Sequence, residues 1–308
     1  VLKYFFQRFL IACVTILILI TVTFFLIQLL PGDPFLDPKL PVEVKENMME
    51  YYGLNDPLYM QYFNYLGNLF QGDLGYSLKY KNLTVNEVIM DAFPKSVELG
   101  LYALLISILF GLTLGIIAAL EHNKKLDFLS MFIALIGISV PAFIIGGLFQ
   151  YFFAVKLHLF PVAQWQGFSY TVLPSFALAL GSVALIARLM RASMLEIVST
   201  DYVKTADAKG LSRGQIILRH QIRNAVLPVL TILGPLLANL VTGTFVIEKI
   251  FAVPGLGKYY VESMQTLDYT MILGLTIFFG SFLVVVNLLI DFCYGIIDPR
   301  IRTKKAGG

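Results

Sequence analysis

Six apolar runs, none containing Asp, Glu, Lys or Arg, govern what this chain can fold into: residues 9–30, 99–120, 128–155, 171–187, 225–247 and 269–290. A helix needs about 20 apolar residues to cross the hydrocarbon core of a bilayer. Five runs reach that length, and the fourth can continue towards Arg191. Backbone polar groups in lipid must be satisfied within the segment, so each run is expected to be a helix. The expectation is an all-α integral membrane protein with six transmembrane helices. Composition agrees, with 57% hydrophobic and 14% charged residues against about 25% charged in an ordinary soluble domain. The first run follows Lys3 and Arg8 as a secretory leader would, but it is too long and no small-residue cleavage site follows, so it is kept as a span. Cys13 and Cys293 each fall inside an apolar run and read as small buried hydrophobes rather than a disulfide framework.

The distribution of basic residues sets an expected orientation. With the N-terminus inside, 15 of the 23 lysines and arginines fall on the cytoplasmic side. Residues 1–8 become a cytoplasmic tail and 9–308 one transmembrane domain, with both termini cytoplasmic. Within it, residues 31–98 are an external region, 188–224 a cytoplasmic hairpin and 248–268 an external loop. The external region opens on Leu30-Pro31-Gly32-Asp33-Pro34, and residues 41–52 and 57–70 each begin with proline and carry helical apolar spacing. It reads as a cap over the bundle or as a docking surface for an external partner. Pro141 in the third run and Gly234-Pro235 in the fifth predict broken or kinked spans. Asn239 and Asn287 read as interhelical hydrogen-bond glue.

The longest polar island of the second half, residues 199–228, reads as helix, glycine break, helix. Asp201 can cap a helix over 202–209, Gly210 ends it with a left-handed residue, and Ser212 with Gln215 forms a capping box that starts a second helix before Pro228. Its basic residues suit an anionic lipid surface or a protein partner. Between the last two runs, residues 243–260 stay apolar after leaving the membrane and turn on Pro254-Gly255. These residues must bury somewhere, either as a gate at the external mouth or as a plug against the bundle.

Several function classes fit poorly. No acidic or basic residue lies in the middle of any run, as ion-coupled carriers usually require, and Asp291 sits at the membrane edge. His122, His158 and His220 fall in three different loops, so no single metal site or catalytic triad is expected. Gly257-Lys258 lacks the upstream glycine of a phosphate-cradling loop, so ATP hydrolysis is not expected on this chain.

The hairpin resembles the cytoplasmic loop of permease subunits of binding-protein-dependent, ATP-driven importers, whose pattern is Glu-Ala-Ala, three residues, Gly, then nine residues and Ile-x-Leu-Pro. Ala206 and Gly210 match it, while Lys204 stands where the family has an acidic residue. The stretch from Tyr202 to Ser212, with His220-x-x-Arg223-Asn224-Ala225-x-x-Pro228 downstream, is similar to the oligopeptide/dipeptide/nickel branch of that family. So are the exit at Leu30–Pro34, Gly72-Asp73-Leu74-Gly75 and Phe251-Ala-Val-Pro-Gly-Leu-Gly257.

The resemblance implies a type I ABC importer permease fold in a bacterial inner or plasma membrane. It implies a second permease subunit, two cytoplasmic ATPases carrying ATP and Mg, an extracellular peptide-binding protein and a peptide substrate. It implies no cofactor on this chain and no nucleic acid. Nickel or another small solute is the alternative within the family, and a secondary carrier the alternative outside it. The implied coupling residues are Tyr202, Lys204, Thr205, Ala206, Asp207, Ala208, Lys209, Gly210, Leu211 and Ser212. The candidate external gate residues, read from the apolar segment that turns on Pro254-Gly255, are Phe245, Phe251, Pro254, Gly255, Leu256 and Gly257.

Overall fold

The structure, a computed structural model, describes residues 2–29, 53, 55–80 and 83–297. The exit at 30–34, the helix expected over 41–52 and the basic C-terminal tail lie outside the described residues. Among the described residues four helices are long and apolar enough to cross a membrane, and the number rises to six when each of two bent helix pairs counts as one span. Among the described residues no strand forms; the one extended pairing is an isolated bridge between Tyr76 and Thr84. The chain divides into two compact units, Val1–Pro94 with Gly255–Gly308, and Lys95–Pro254.

In the first unit, α1 (Leu2–Gln28) and the final helix run antiparallel. Phe5 meets Phe292 edge-on at 4.9 Å and Arg8 pairs with Asp291 at 3.0 Å, while Phe24 and Ile27 pack with Ile272 and Ile277 near the other end. Asp291 thus has an ionic partner from α1. Helix α2 (Leu58–Phe70) follows proline as expected and lies against α1. Helix α3 (Val85–Leu120) begins 14 residues before its apolar run. Thr84 and Glu87 explain that early start by forming a reciprocal capping box, with Thr84 N–H donating to Glu87 Oε2 at 2.9 Å and Glu87 N–H to Thr84 Oγ1 at 3.1 Å. At about 1.5 Å per residue, α3 is roughly 54 Å long, well beyond the ~30 Å hydrocarbon core.

The second unit takes in the rest of α3 and then α4 (Lys125–Ser139), α5 (Ala142–Lys156), α6 (Phe168–Val198), α7 (Asp201–Ala208), α8 (Arg213–Ala225), α9 (Leu227–Thr242) and α10 (Phe245–Phe251). Helix α6 is its axis, the most buried of the four long helices. Gly111 and Gly115, one turn apart on α3, face α6 so closely that an added Cβ would sit 2.7 Å from Ile186 and 2.6 Å from the Ala187 carbonyl oxygen. Small residues at such spacing let membrane helices approach backbone to backbone. Asp127, in the first turn of α4, accepts both prongs of the Arg191 guanidinium from α6, each at 2.7 Å, and the Asn123 backbone N–H at 2.9 Å.

The third run is broken rather than kinked: α4 and α5 meet at 104°. Val140, the residue before proline, is forced into extended backbone (φ −107°, ψ 125°), and Pro141 then opens a new helix from outside its first turn. The fifth run bends by 45° at Val226, between α8 and α9, and not at Gly234-Pro235. Pro228 sets that position by entering the first turn of α9, whereas Pro235 stays inside a continuous helix. Helix α9 stops at Thr242, so the run's last residues belong to α10 instead. Cys13, Asn239 and Asn287 are exposed on this chain.

The final two helices, α11 (Leu256–Thr266) and α12 (Tyr269–Ile297), belong to the first unit. Fully buried Asp268 caps α12 by accepting the Met271 N–H at 3.1 Å, and it also takes the Leu78 N–H at 3.1 Å and the Ser77 hydroxyl.

Candidate coupling hairpin and gate segment

The hairpin is built from two short helices, each ended by its own chemistry. Helix α7 spans Asp201–Ala208, with Thr200 at the capping position, so Asp201 is its first helical residue and not the cap. Gly210 has φ +76°, the left-handed conformation a Cβ disfavours. Its N–H bonds to the Asp207 carbonyl at 2.8 Å and that of Leu211 to Ala206 at 3.4 Å, which is the paired closure of a Schellman motif. Ser212 and Gln215 form the expected capping box, with Ser212 N–H donating to Gln215 Oε1 at 3.0 Å. From Ile216 to Ile222 helix α8 widens to π geometry.

Val203 and Ala206 turn inward and pack with Ile216, against which Ile197 and Leu211 also lie. Ala206 is 4% exposed. Its small side chain therefore admits the chain's own second helix, whereas the expectation placed it under an approaching partner. Tyr202, Lys204, Thr205, Asp207, Ala208, Lys209, Gly210 and Ser212 are exposed. They form the outer face of the hairpin's first half, whose inner face packs on α8. Lys204 is bonded to Asp201 one turn earlier, at 3.1 Å between two exposed side chains. Such a surface pair contributes little.

In the segment expected as a gate, the apolar residues do bury, and they do so as a helix. Phe251 and Ile247 of α10 pack with Ile145, Leu173 and Ala177, and Val253 joins the same cluster. Ala252, at φ +50°, ends the helix. The carbonyls it leaves open are taken by the Gln150 side chain, on Ile250 at 2.9 Å, and by the Gln164 N–H, on Phe251 at 2.8 Å. Phe245 is half-buried and Pro254 exposed. Gly255, Leu256 and Gly257 are buried at the start of α11 in the other unit.

Glu248, absent from the residues singled out in the sequence, is fully buried on α10 and accepts the Ser96 hydroxyl at 2.7 Å. The signal was its position, a lone acid between Ile247 and Phe251 in an apolar stretch. Nor was Asp127 singled out; its partner lies 64 residues away on α6.

The described residues thus form an all-helical chain with up to six candidate spans and a capped two-helix hairpin before the last helix of the bent pair 213–242. The family described as "Binding-protein-dependent transport system inner membrane component" matches residues 111–303, and its N-terminal companion, "Binding-prot-dependent transport system membrane comp, N-term", matches residues 1–100. The chain belongs to this family of ABC importer permeases. It is 47% identical over 306 residues to the dipeptide transport system permease protein DppB of Bacillus subtilis, covering 99% of both chains. It is 41% identical over 304 residues to the oligopeptide transport system permease protein OppB of Escherichia coli K12, covering 98% of this chain and 99% of that one. Among solved structures, a chain of the methionine ABC transporter MetNI in inward-facing conformations superposes with a TM-score of 0.52 at 20% identity, over 70% of this chain and 97% of that one. The shared fold is that of a type I importer permease.

Proposed function

We propose that this chain is the membrane subunit of an ATP-driven peptide importer, forming half of the translocation path and transmitting the work of cytoplasmic ATPases to it. The observation that carries the reading is its full-length identity of 41–47% to dipeptide and oligopeptide permeases. A second permease subunit completes the path, two ATPases bearing ATP and Mg sit on the cytoplasmic side, and an extracellular binding protein delivers the peptide. The chain itself makes and breaks no bonds. Both termini lie in the cytoplasm, which places α7 and α8 beside the ATPases and α10 at the external mouth.

The hairpin's geometry supports coupling. Its outer face, Tyr202 to Ser212, is free of intrachain burial apart from Val203, Ala206 and the half-buried Leu211. Its inner face is packed onto α8, which continues through the 45° bend into α9. A push on α7 therefore reaches a membrane span through packed side chains. The gate residues Phe245, Phe251, Pro254, Gly255, Leu256 and Gly257 close the external mouth until that push arrives.

The test is uptake by proteoliposomes containing the chain with its co-expressed permease and ATPase partners. Peptide accumulation should require both ATP and the binding protein. Uptake of nickel but not peptide would overturn the peptide assignment within the oligopeptide/dipeptide/nickel branch, and peptide uptake driven by a proton gradient without ATP would overturn the reading.

A further inference from the structure

Helix α2 is the element that the transport reading leaves unexplained. It contains no charged residue and buries none of its 13 residues. Its side chains divide into three stripes. Tyr62, Tyr65 and Leu69 pack with Phe24 and Ile27 of α1 and Ile272, Leu273 and Ile277 of α12. Asn64 and Asn68 lie on the side away from that packing and are exposed. Between the two runs a third stripe, Tyr59, Phe63 and Phe70, at positions i, i+4 and i+11, is 63%, 65% and 88% exposed.

The height of α2 against α1 is set by contacts. The Tyr62 hydroxyl is 2.7 Å from that of Thr21, and its ring stacks on Phe25 at 5.6 Å. Thr21 stands seven residues before the end of the apolar stretch Phe5–Gln28, a rise of about 10 Å. One residue earlier on α2, Gln61 meets Gln28 at that stretch's end, at 3.3 Å. The helix is thus seated beside the last two turns of the apolar stretch of α1.

We propose that α2 is an interfacial helix whose Tyr59–Phe63–Phe70 face is embedded in phospholipid, in the leaflet where α1 ends. A cap in water would leave three large aromatic side chains hydrated beside a packed apolar cluster. At the bilayer boundary the aromatic stripe meets acyl chains and the asparagine stripe meets water. The absence of lysine and arginine distinguishes it from helices held by anionic headgroups, so its seating is apolar and indifferent to lipid charge.

The experiment places a tryptophan at Phe63, Phe70 or Asn64, one at a time, in the transporter assembled with its partner subunits. The assemblies are reconstituted in phosphatidylcholine with and without bromine on the upper acyl carbons, and the parent's emission, Trp165 included, is subtracted. Phe63→Trp and Phe70→Trp should lose emission in brominated lipid, whereas Asn64→Trp should not, and adding anionic lipid should change neither result. Unquenched emission at both aromatic positions would overturn the proposal. So would equal quenching at Asn64→Trp. A blue shift of Phe63→Trp on adding the binding protein, without quenching by lipid, would assign the face to protein contact and overturn it as well.

Discussion

At Gly210 an added Cβ would meet no neighbour within 4 Å, so the conformation alone, φ +76°, excludes larger residues from the chain's own standpoint. That requirement was legible in the sequence, because a small-residue helix followed by Gly-Leu-Ser and a Ser-x-x-Gln box has few other ways to turn. Asp127 and Arg191 were not legible as a pair, since their contact is made by two helices 64 residues apart. Their bidentate bond is expected to matter, because Asp127 is 2% exposed and the guanidinium supplies two of its hydrogen bonds. Arg191→Leu should destabilise the protein by about 2 kcal/mol, the usual worth of hydrogen bonds to a charged group, since the Asn123 N–H and His122 still face the carboxylate. Arg191→Lys should recover part of it by restoring charge without the fork. Thermal unfolding in detergent with the partner subunits present checks this; equal midpoints for parent and Arg191→Leu would count against it.

At the scale of elements, helix positions followed from hydrophobic runs, while the breaks followed only where proline coincided with competing packing. Pro141 ends a helix because Val140 must extend; Pro235, equally visible, interrupts nothing. The π segment from Ile216 to Ile222 and the helix Phe245–Phe251 had no distinguishing local pattern, being set by what they pack against. Ala206 belongs to this scale, since it joins α7 to α8. Ala206→Asp should undock α7, placing an unpaired charge among Val203, Ile216 and Leu211 at a cost of about 3 kcal/mol or more. Hydrogen exchange over residues 201–225 should then quicken while α3 and α6 keep their protection; unchanged exchange would return Ala206 to the outer face. Asp268→Ala should release both the start of α12 and the Ser77–Leu78 strap. The loss is about 1–2 kcal/mol for the cap alone, read as a lower unfolding midpoint that Asp268→Asn partly restores.

Over the whole molecule, the family was legible because four motifs occur in order, and the apolar runs located the membrane. The path was not legible in this chain alone, because in the proposed assembly a second permease subunit supplies half of it. Orientation gives the first whole-molecule prediction: single cysteines at Ser212 and Gln71 should be labelled by a membrane-impermeant maleimide from opposite sides of intact cells, and labelling of both from outside would sink it. The central claim is that the hairpin from Asp201 to Ala225 couples ATP hydrolysis to the path. Gly210→Val tests it most directly, because the backbone strain, ~1–2 kcal/mol, falls on the turn between α7 and α8 and not on a span. The measurement is ATP-dependent peptide uptake in proteoliposomes, normalised to the amount of inserted chain. The account predicts normal insertion, weakened retention of the ATPase subunits and loss of uptake. Normal uptake at normal insertion would contradict it and reduce the hairpin to a connector.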